Sequence, residues 1–274
     1  MRLIELFEKD IIETSNKSSK GNQLKWRAGE YWYKADYTGY EGLSEIISSR
    51  MMEHSELDPD EFVVYEAERI QYKNTIFNGC KSRQFLKKNQ QLITLERLYS
   101  NFYGESMYRT IYKLAEPAAR FEYIVNQIER ITGINRFDVY LNKVITIDAL
   151  TLNEDRHLHN IAVILNGDNA YELCPIFDQG AGFLSDTTMD YPMGTDEYRL
   201  IDSVKAKTFT DDFDVQLDIS EQISGHKLRF NFNEKDVRNW LQEPEVVQNY
   251  SEEIRNRVYK VAADRMKRYQ YLFA

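Results

Sequence analysis

The sequence predicts an α+β chain: a small lobe of mixed strands and helix, then a larger and mainly helical lobe. Three observations predict it. Strand-like and helix-like apolar patterns alternate up to about residue 80. From about residue 81 the apolar spacing turns mostly helical. No internal repeat or flexible linker interrupts the chain, so the expected division is 1–80 and 81–274.

The elements follow in order. Residues 2–14 have helical apolar spacing, and SNKSSKGN (15–22) reads as a loop rich in turn formers. QLKWRAGEYWYKAD reads as two strands around a turn at Arg27-Ala28-Gly29. Leu43, Ile46, Ile47 and Met51 mark a helix over 40–54, and FVVYEAERI (62–70) is a strand candidate. Phe121, Ile124, Val125 and Ile128 mark one helix of the second lobe. Phe137, Tyr140, Leu141, Val144, Ile145 and Asp148 mark another. IAVILNGDNAYELCPIF (161–177) reads as a hairpin turning at Asn166–Asn169. From about residue 196 the pattern is helical and polar.

Composition narrows the function. Hydrophobic residues are 42%, enough for a sizeable core, and Gly (12) and Pro (5) are too few for a fibrous or low-complexity chain. A formal charge of -9 disfavours a general nucleic-acid binder. No apolar run approaches the ~18 residues of a membrane span, no basic cluster flanks an apolar anchor, and the amphipathic, acidic start MRLIELFEKD is unlike a signal peptide. Cys80 and Cys174 lack metal-ligand spacing and read as small buried apolar residues of a protein from a reducing compartment, here the cytoplasm.

TLNEDRHLHN (151–160) concentrates polar chemistry between two apolar runs. Asp155 and Asn160 are five residues apart, and Asp178 follows the expected hairpin. That is the grammar of phosphoryl transfer: one Asp orients the attacking hydroxyl, while an Asn and a second Asp hold a metal on the phosphates. Hard Mg²⁺ calls for oxygen ligands of this kind. Gly180 is expected to let the chain turn after Asp178. A lone Asp–Arg pair near a turn is usually a surface salt bridge, so the joint occurrence carries the reading.

Asn153-Glu154-Asp155-Arg156-His157-Leu158-His159-Asn160, followed by Pro175-Ile176-Phe177-Asp178, resembles the HipA-like serine/threonine kinases. Asp155-Arg156-His157-x-x-Asn160 is also similar to the phosphatidylinositol 3- and 4-kinases. The resemblance implies a bilobal protein-kinase-like fold with a small mixed β-sheet N-lobe and a larger, mainly helical C-lobe. It implies ATP and Mg²⁺ as cofactors and a protein hydroxyl as acceptor. Asp155 is expected to act on that hydroxyl, Asn160 and Asp178 to hold Mg²⁺, and His157 to sit near the transferred phosphate or support Asp178. Arg156 is expected to pair with a carboxylate, and His159 to be a surface or packing residue.

A kinase also needs a strand lysine and a helix glutamate. Lys34 in Tyr31-Trp32-Tyr33-Lys34 supplies the first. Glu41 and Glu45 are candidates for the second, with Glu45 favoured beside the apolar stripe. Ser18-Ser19-Lys20-Gly21-Asn22-Gln23-Leu24-Lys25 matches the family's S-x-x-G-x-Q-x-K phosphate loop at all four fixed positions. Ser18, Gly21 and Gln23 are therefore candidate ATP contacts, and Ser18 or Ser19 a candidate autophosphorylation site.

Two departures stand out. Trp32 occupies the spacing where protein kinases carry a small residue over the adenine. The chain also starts almost directly at the loop, as in the short members of the family. Some members are toxins, so an antitoxin partner is implied; direct nucleic-acid and membrane partners are not. A small-molecule or phosphoinositide kinase on the same fold is the alternative, and a pseudokinase binding module ranks last because Lys34, Asp155, Asn160 and Asp178 are all present. Gly79–Leu86 and Lys205–Thr210 also resemble short family members, without an assigned role. The first reads as the entry to the helical lobe, with Lys81, Arg83, Lys87 and Lys88 on a solvated face.

Overall fold

The computed structural model describes residues 3–12 and 23–273. Its fold class is the one expected, α+β with an N-terminal sheet and a mainly helical remainder. The first sheet contains β1 (Leu3–Leu6), β2 (Lys25–Ala28), β3 (Tyr31–Ala35), β4 (Tyr65–Tyr72) and β5 (Thr75–Arg83) in the order β1-β4-β5-β3-β2. Only the β1–β4 pair is parallel. Helix α1 (Glu41–Glu53) connects β3 to β4 and packs on β4 and β5.

Four local expectations needed correction. The described part of the segment expected as a helix over 2–14 is instead the edge strand β1 and a 3-10 turn at Glu8–Asp10. Its apolar spacing suits a helix, but β4 offers a row of unpaired backbone groups that β1 satisfies from Leu3↔Arg69 to Leu6↔Tyr72. Leu6 then joins Trp26, Tyr33, Ala35 and Ile70 in a small sheet core. The first hairpin turns later than expected, because Arg27 and Ala28 still pair with Trp32 and Tyr31; Gly29, at φ 62°, makes the turn. The strand expected at 62–70 begins at Tyr65, and Phe62 makes only an isolated bridge to Ile176. The block expected as the entry to the helical lobe is mostly β5, the strand that joins β4 to β3.

The second part holds a three-stranded sheet, β6 (Gln91–Thr94), β7 (Ala162–Leu165) and β8 (Tyr171–Leu173), in sequential order. Its β7–β8 hairpin is the one expected; β6 was not foreseen. The helices are α2 (Leu95–Tyr103), α3 (Met107–Ile111), α4 (Pro117–Thr132), α5 (Phe137–Thr151), α6 (Glu197–Ile201), α7 (Phe213–Ser224), α8 (Glu234–Trp240), α9 (Pro244–Asn249) and α10 (Glu252–Arg268). Their starts carry recognisable caps: Thr94 before α2, Asp212 before α7 and Ser251 before α10 each accept from an early helical N–H. Buried faces of α1, α4, α5, α7 and α10 share one continuous core. Cys80 and Cys174 are buried and free. Among the described residues no helix is long and apolar enough to cross a membrane.

The entry to α1 is built from carboxylates. Glu41 accepts from the N–H groups of Tyr37 (3.1 Å), Thr38 (2.7 Å) and Gly39 (3.2 Å). Asp36 Oδ1 accepts from Gly42 N–H at 2.6 Å. Burial, with the Glu41 charge beside it, pushes the Asp36 carboxyl up to about 8. A carboxyl that holds its proton more tightly folded than unfolded (~3.9) favours the fold at low pH and loses that contribution as pH rises through about 8. Asp36→Asn keeps an acceptor for Gly42 and cannot ionise. Its melting temperature relative to the native chain should therefore climb from pH 5 to pH 8, as calorimetry would record.

Candidate active site

The polar stretch at 151–160 leaves α5 through Leu152, at φ 53°, and Asp148 O accepts the N–H groups of Leu152 and Asn153. The Asp148 carboxylate takes Arg156 Nε at 2.9 Å and Asn153 Nδ2 at 2.9 Å. Arg156, 2% exposed, also donates from Nη1 to Asn160 O (2.6 Å) and Phe177 O (2.8 Å). One guanidinium thus joins the helix, the end of the loop and the residue before Asp178. Burial raises the Asp148 carboxyl, and the Arg156 charge limits the rise. The carboxylate that Arg156 meets is Asp148.

Within this frame Asn160 Nδ2 donates to Asp155 O at 2.9 Å. Asp155 and Asn160 line one cleft with Asp178, Gln23, Lys25 and Thr38. His157 Nε2 stands 3.8 Å from Asp155 Oδ2, and burial lowers the imidazole below its ordinary value, leaving it neutral at pH 7. His159 is exposed and meets the His157 ring edge-on. Ser18, Ser19 and Gly21 lie outside the described residues; Gln23 and Lys25, at the end of the same motif, line the cleft.

Asp178 itself makes the turn expected of Gly180. Its φ is 64°, a region costly to a residue with a side chain, whereas Gly180 does not have a positive φ. The surroundings hold Asp178 there. Gln179 N–H donates to Glu45 Oε2 at 2.8 Å, and Asn153 Nδ2 reaches Gln179 Oε1 at 2.9 Å. Further on, the N–H groups of Thr187 and Thr188 donate to Thr38 O, and a Cβ on Gly39 would stand 1.9 Å from Ser185 O. The segment after Asp178 is therefore clasped to the entry of α1.

Lys34 joins the two parts of the fold. Its ammonium donates to Glu45 Oε1 in a short hydrogen bond and to Asp178 Oδ1 at 2.8 Å, and it stands 5.2 Å from the Tyr65 ring centroid. Burial alone would lower the Lys34 ammonium, but Asp178 and Glu45 outweigh it and hold it well above its ordinary value. Burial would raise Asp178, yet Lys34 keeps it well below the usual carboxylate range. Burial leaves Glu45 above its ordinary value despite Lys34. The Lys25 and Arg156 charges act on Asp178 in the same direction as Lys34.

An apolar cavity of about 250 Å³ adjoins this group. Trp32, Val63, Tyr65, Phe85, Leu92 and Phe177 wall it, with Lys34 and Asp178 at the rim. Trp32 Nε1 donates to Gln84 Oε1 at 2.8 Å, which fixes its indole beside the opening. Sequence reasoning missed this cavity, since its walls come from five separate segments. It also missed Lys207, whose Nζ lies 3.3 Å from Asp155 Oδ1; the unassigned run Lys205–Thr210 was the available signal. A larger groove of about 1040 Å³, rich in glutamates, lies between β1, β4, α1 and α9 and shares no residue with the cleft.

Oxygen donors dominate the cleft, which suits a hard cation. Among the described residues no three His, Cys, Asp or Glu side chains close a metal site alone. Asn160 and Asp178 would hold such an ion only with ligand oxygens completing its shell. The frame itself can be tested at Arg156. Arg156→Met strands a buried carboxylate at Asp148, and urea denaturation should show a loss of about 3–5 kcal/mol.

No protein-family model matches the chain. No curated protein matches it either. Among solved structures the fold is similar to the crystal structure of a Helicobacter pylori proinflammatory kinase, CtkA, with a TM-score of 0.62. The identity is 13%, over 97% of this chain and 95% of that chain. At that identity the likeness shows the fold: a protein-kinase-like arrangement over nearly the full length.

Proposed function

We propose that the chain is an ATP-dependent protein serine/threonine kinase of the HipA-like kind. The observation that carries the reading is the Lys34 ammonium, held by Glu45 and Asp178 where a polar cleft with Asp155 and Asn160 meets an apolar cavity. That arrangement offers an adenine a dry pocket, phosphates a cation and an acceptor hydroxyl a carboxylate.

Each residue then has a role in the transfer. Trp32 and Phe177 flank the base. Lys34 turns from Asp178 to the nucleotide phosphates and keeps its bond to Glu45. Lys25 and Gln23, and the loop residues Ser18 and Gly21 before them, cover the phosphates. Asn160 and Asp178 would hold Mg²⁺, which would neutralise phosphate charge when bound. Asp155 takes the proton of the acceptor hydroxyl. The new O–P bond forms as the bond between the γ-phosphorus and the bridging oxygen breaks, and the electron pair leaves with ADP. His157, neutral at pH 7, supports Asp155 Oδ2. The lobe expected at 1–80, carried on to the end of β5 at Arg83, acts as the nucleotide-covering lobe, and the remainder as the catalytic lobe. Autophosphorylation at Ser18 or Ser19, a cytoplasmic location and an antitoxin partner belong to the same reading.

Labelled ATP and the pure protein test it. With Mg²⁺ the native chain should transfer γ-phosphate to itself or to an added protein, and mass spectrometry should find the label on serine or threonine. Chelation should stop the reaction. Asp155→Asn and Asp178→Asn should each lower the rate by about 10²–10⁴ while the melting curve stays cooperative. Full activity in both variants would rule the assignment out, and transfer only to a lipid headgroup would move the substrate class.

A further inference from the structure

We infer that Lys207 is a positioning residue for this transfer, holding the Asp155 carboxylate in one orientation from a segment 52 residues downstream. The inference rests on the kinase reading above. Lys207 Nζ meets Asp155 Oδ1 at 3.3 Å. Oδ2 stands 3.5 Å from Asn160 Nδ2 and 3.8 Å from His157 Nε2. The two carboxylate oxygens therefore face different partners, and the carboxylate plane is set by both.

The segment that carries Lys207 is anchored on either side of it. Thr208 is buried, and its Oγ1 donates to Arg156 O at 2.8 Å, inside the loop that carries Asp155. Phe209 is fully buried, edge-on to Phe121; its carbonyl accepts from Arg120 Nη1 (3.1 Å) and its N–H donates to Gln216 Oε1 (3.2 Å). Ala206 is buried, and its N–H donates to Asp211 O at 3.1 Å. Lys207 is thus a partly exposed cation delivered by a rigid stretch of backbone.

Its neighbour Lys205 provides the contrast. Lys205 pairs with Asp211 at 3.0 Å, but those side chains are 70% and 69% exposed, so solvent screens the pair. The Asp155 side chain is 11% exposed and that of Lys207 41%, so water screens this pair less than the other. A lysine placed this way does work that Lys205 does not.

The work follows from charge. As the acceptor proton moves to Asp155, negative charge passes from the carboxylate to the acceptor oxygen and the transferring phosphoryl group beside it. The Lys207 side chain, at Oδ1, lies where a cation offsets that charge, and it keeps Oδ1 occupied. Oδ2 is then turned to the Asn160 side, where the acceptor hydroxyl meets the γ-phosphate. Lys207 is a further cation, distinct in chain position and partner from Lys34 and Lys25.

The test compares Lys207→Met and Lys207→Arg with the native chain. The readouts are γ-phosphate transfer from labelled Mg-ATP to the chain itself or to an added protein, Mg-ATP affinity by calorimetry, and melting temperature. Lys207→Met should lower the rate at saturating ATP by about 10–100-fold, with the KM for ATP within about twofold of native, because the residue touches Asp155 and not the nucleotide. Lys207→Arg should recover most of the loss. A Lys207→Met rate within about twofold of native overturns the role alone. So does an equal loss in both variants accompanied by a lower melting temperature, the mark of a purely structural residue. A native chain that binds Mg-ATP and transfers nothing overturns the kinase reading itself.

Discussion

One ammonium between two carboxylates organises this molecule. Lys34 comes from a strand of the first sheet, Glu45 from the helix packed on that sheet, and Asp178 from the segment after the β7–β8 hairpin. Removing three charges from water is costly, and only close geometry offsets it. That cost is also a constraint on shape. The sheet, α1 and the hairpin must all arrive in register, or a buried charge is left alone. Glu45 strengthens the constraint by accepting from Gln179 N–H as well.

A second buried pair does for the loop at 153–160 what the first does for the cleft. Asp148 and Arg156 tie the end of α5 to Asn160 and Phe177 through backbone carbonyls. Asp178, one residue beyond Phe177, is thereby held between two ion-paired frames. This explains how it keeps a left-handed backbone without a glycine. The strain sits at the residue whose carboxylate most needs a defined direction.

The local grouping of the candidate residues was legible in the sequence, and the long-range strand pairing was not. Asp155, Asn160 and Asp178 could be read together because their spacing is set by one short loop and one hairpin. Lys34 and Glu45 followed because a strand and the next helix lie close in the chain. The edge strand β1 was read as a helix because Leu3, Ile4 and Leu6 carry no local sign that β4 will offer an open edge. β5 was misread for the same reason, since both its partners lie elsewhere in the chain. The turn at Asp178 was assigned to Gly180 because glycine is the default for a positive φ, while the hydrogen bonds that enforce the exception are tertiary. Trp32 looked like a departure from the kinase pattern in the sequence. In the structure its indole, fixed by Gln84, is one wall of the apolar cavity.

The account stands or falls on what Lys34 does when nucleotide arrives. The most direct measurement is a crystal structure with Mg²⁺ and a non-hydrolysable ATP analogue. The account predicts the base between Trp32 and Phe177 and the metal on Asn160 and Asp178. Lys34 should have left Asp178 for the phosphates while still bonded to Glu45. A nucleotide bound elsewhere, or a Lys34–Asp178 pair left intact with phosphate oxygens out of its reach, would contradict it.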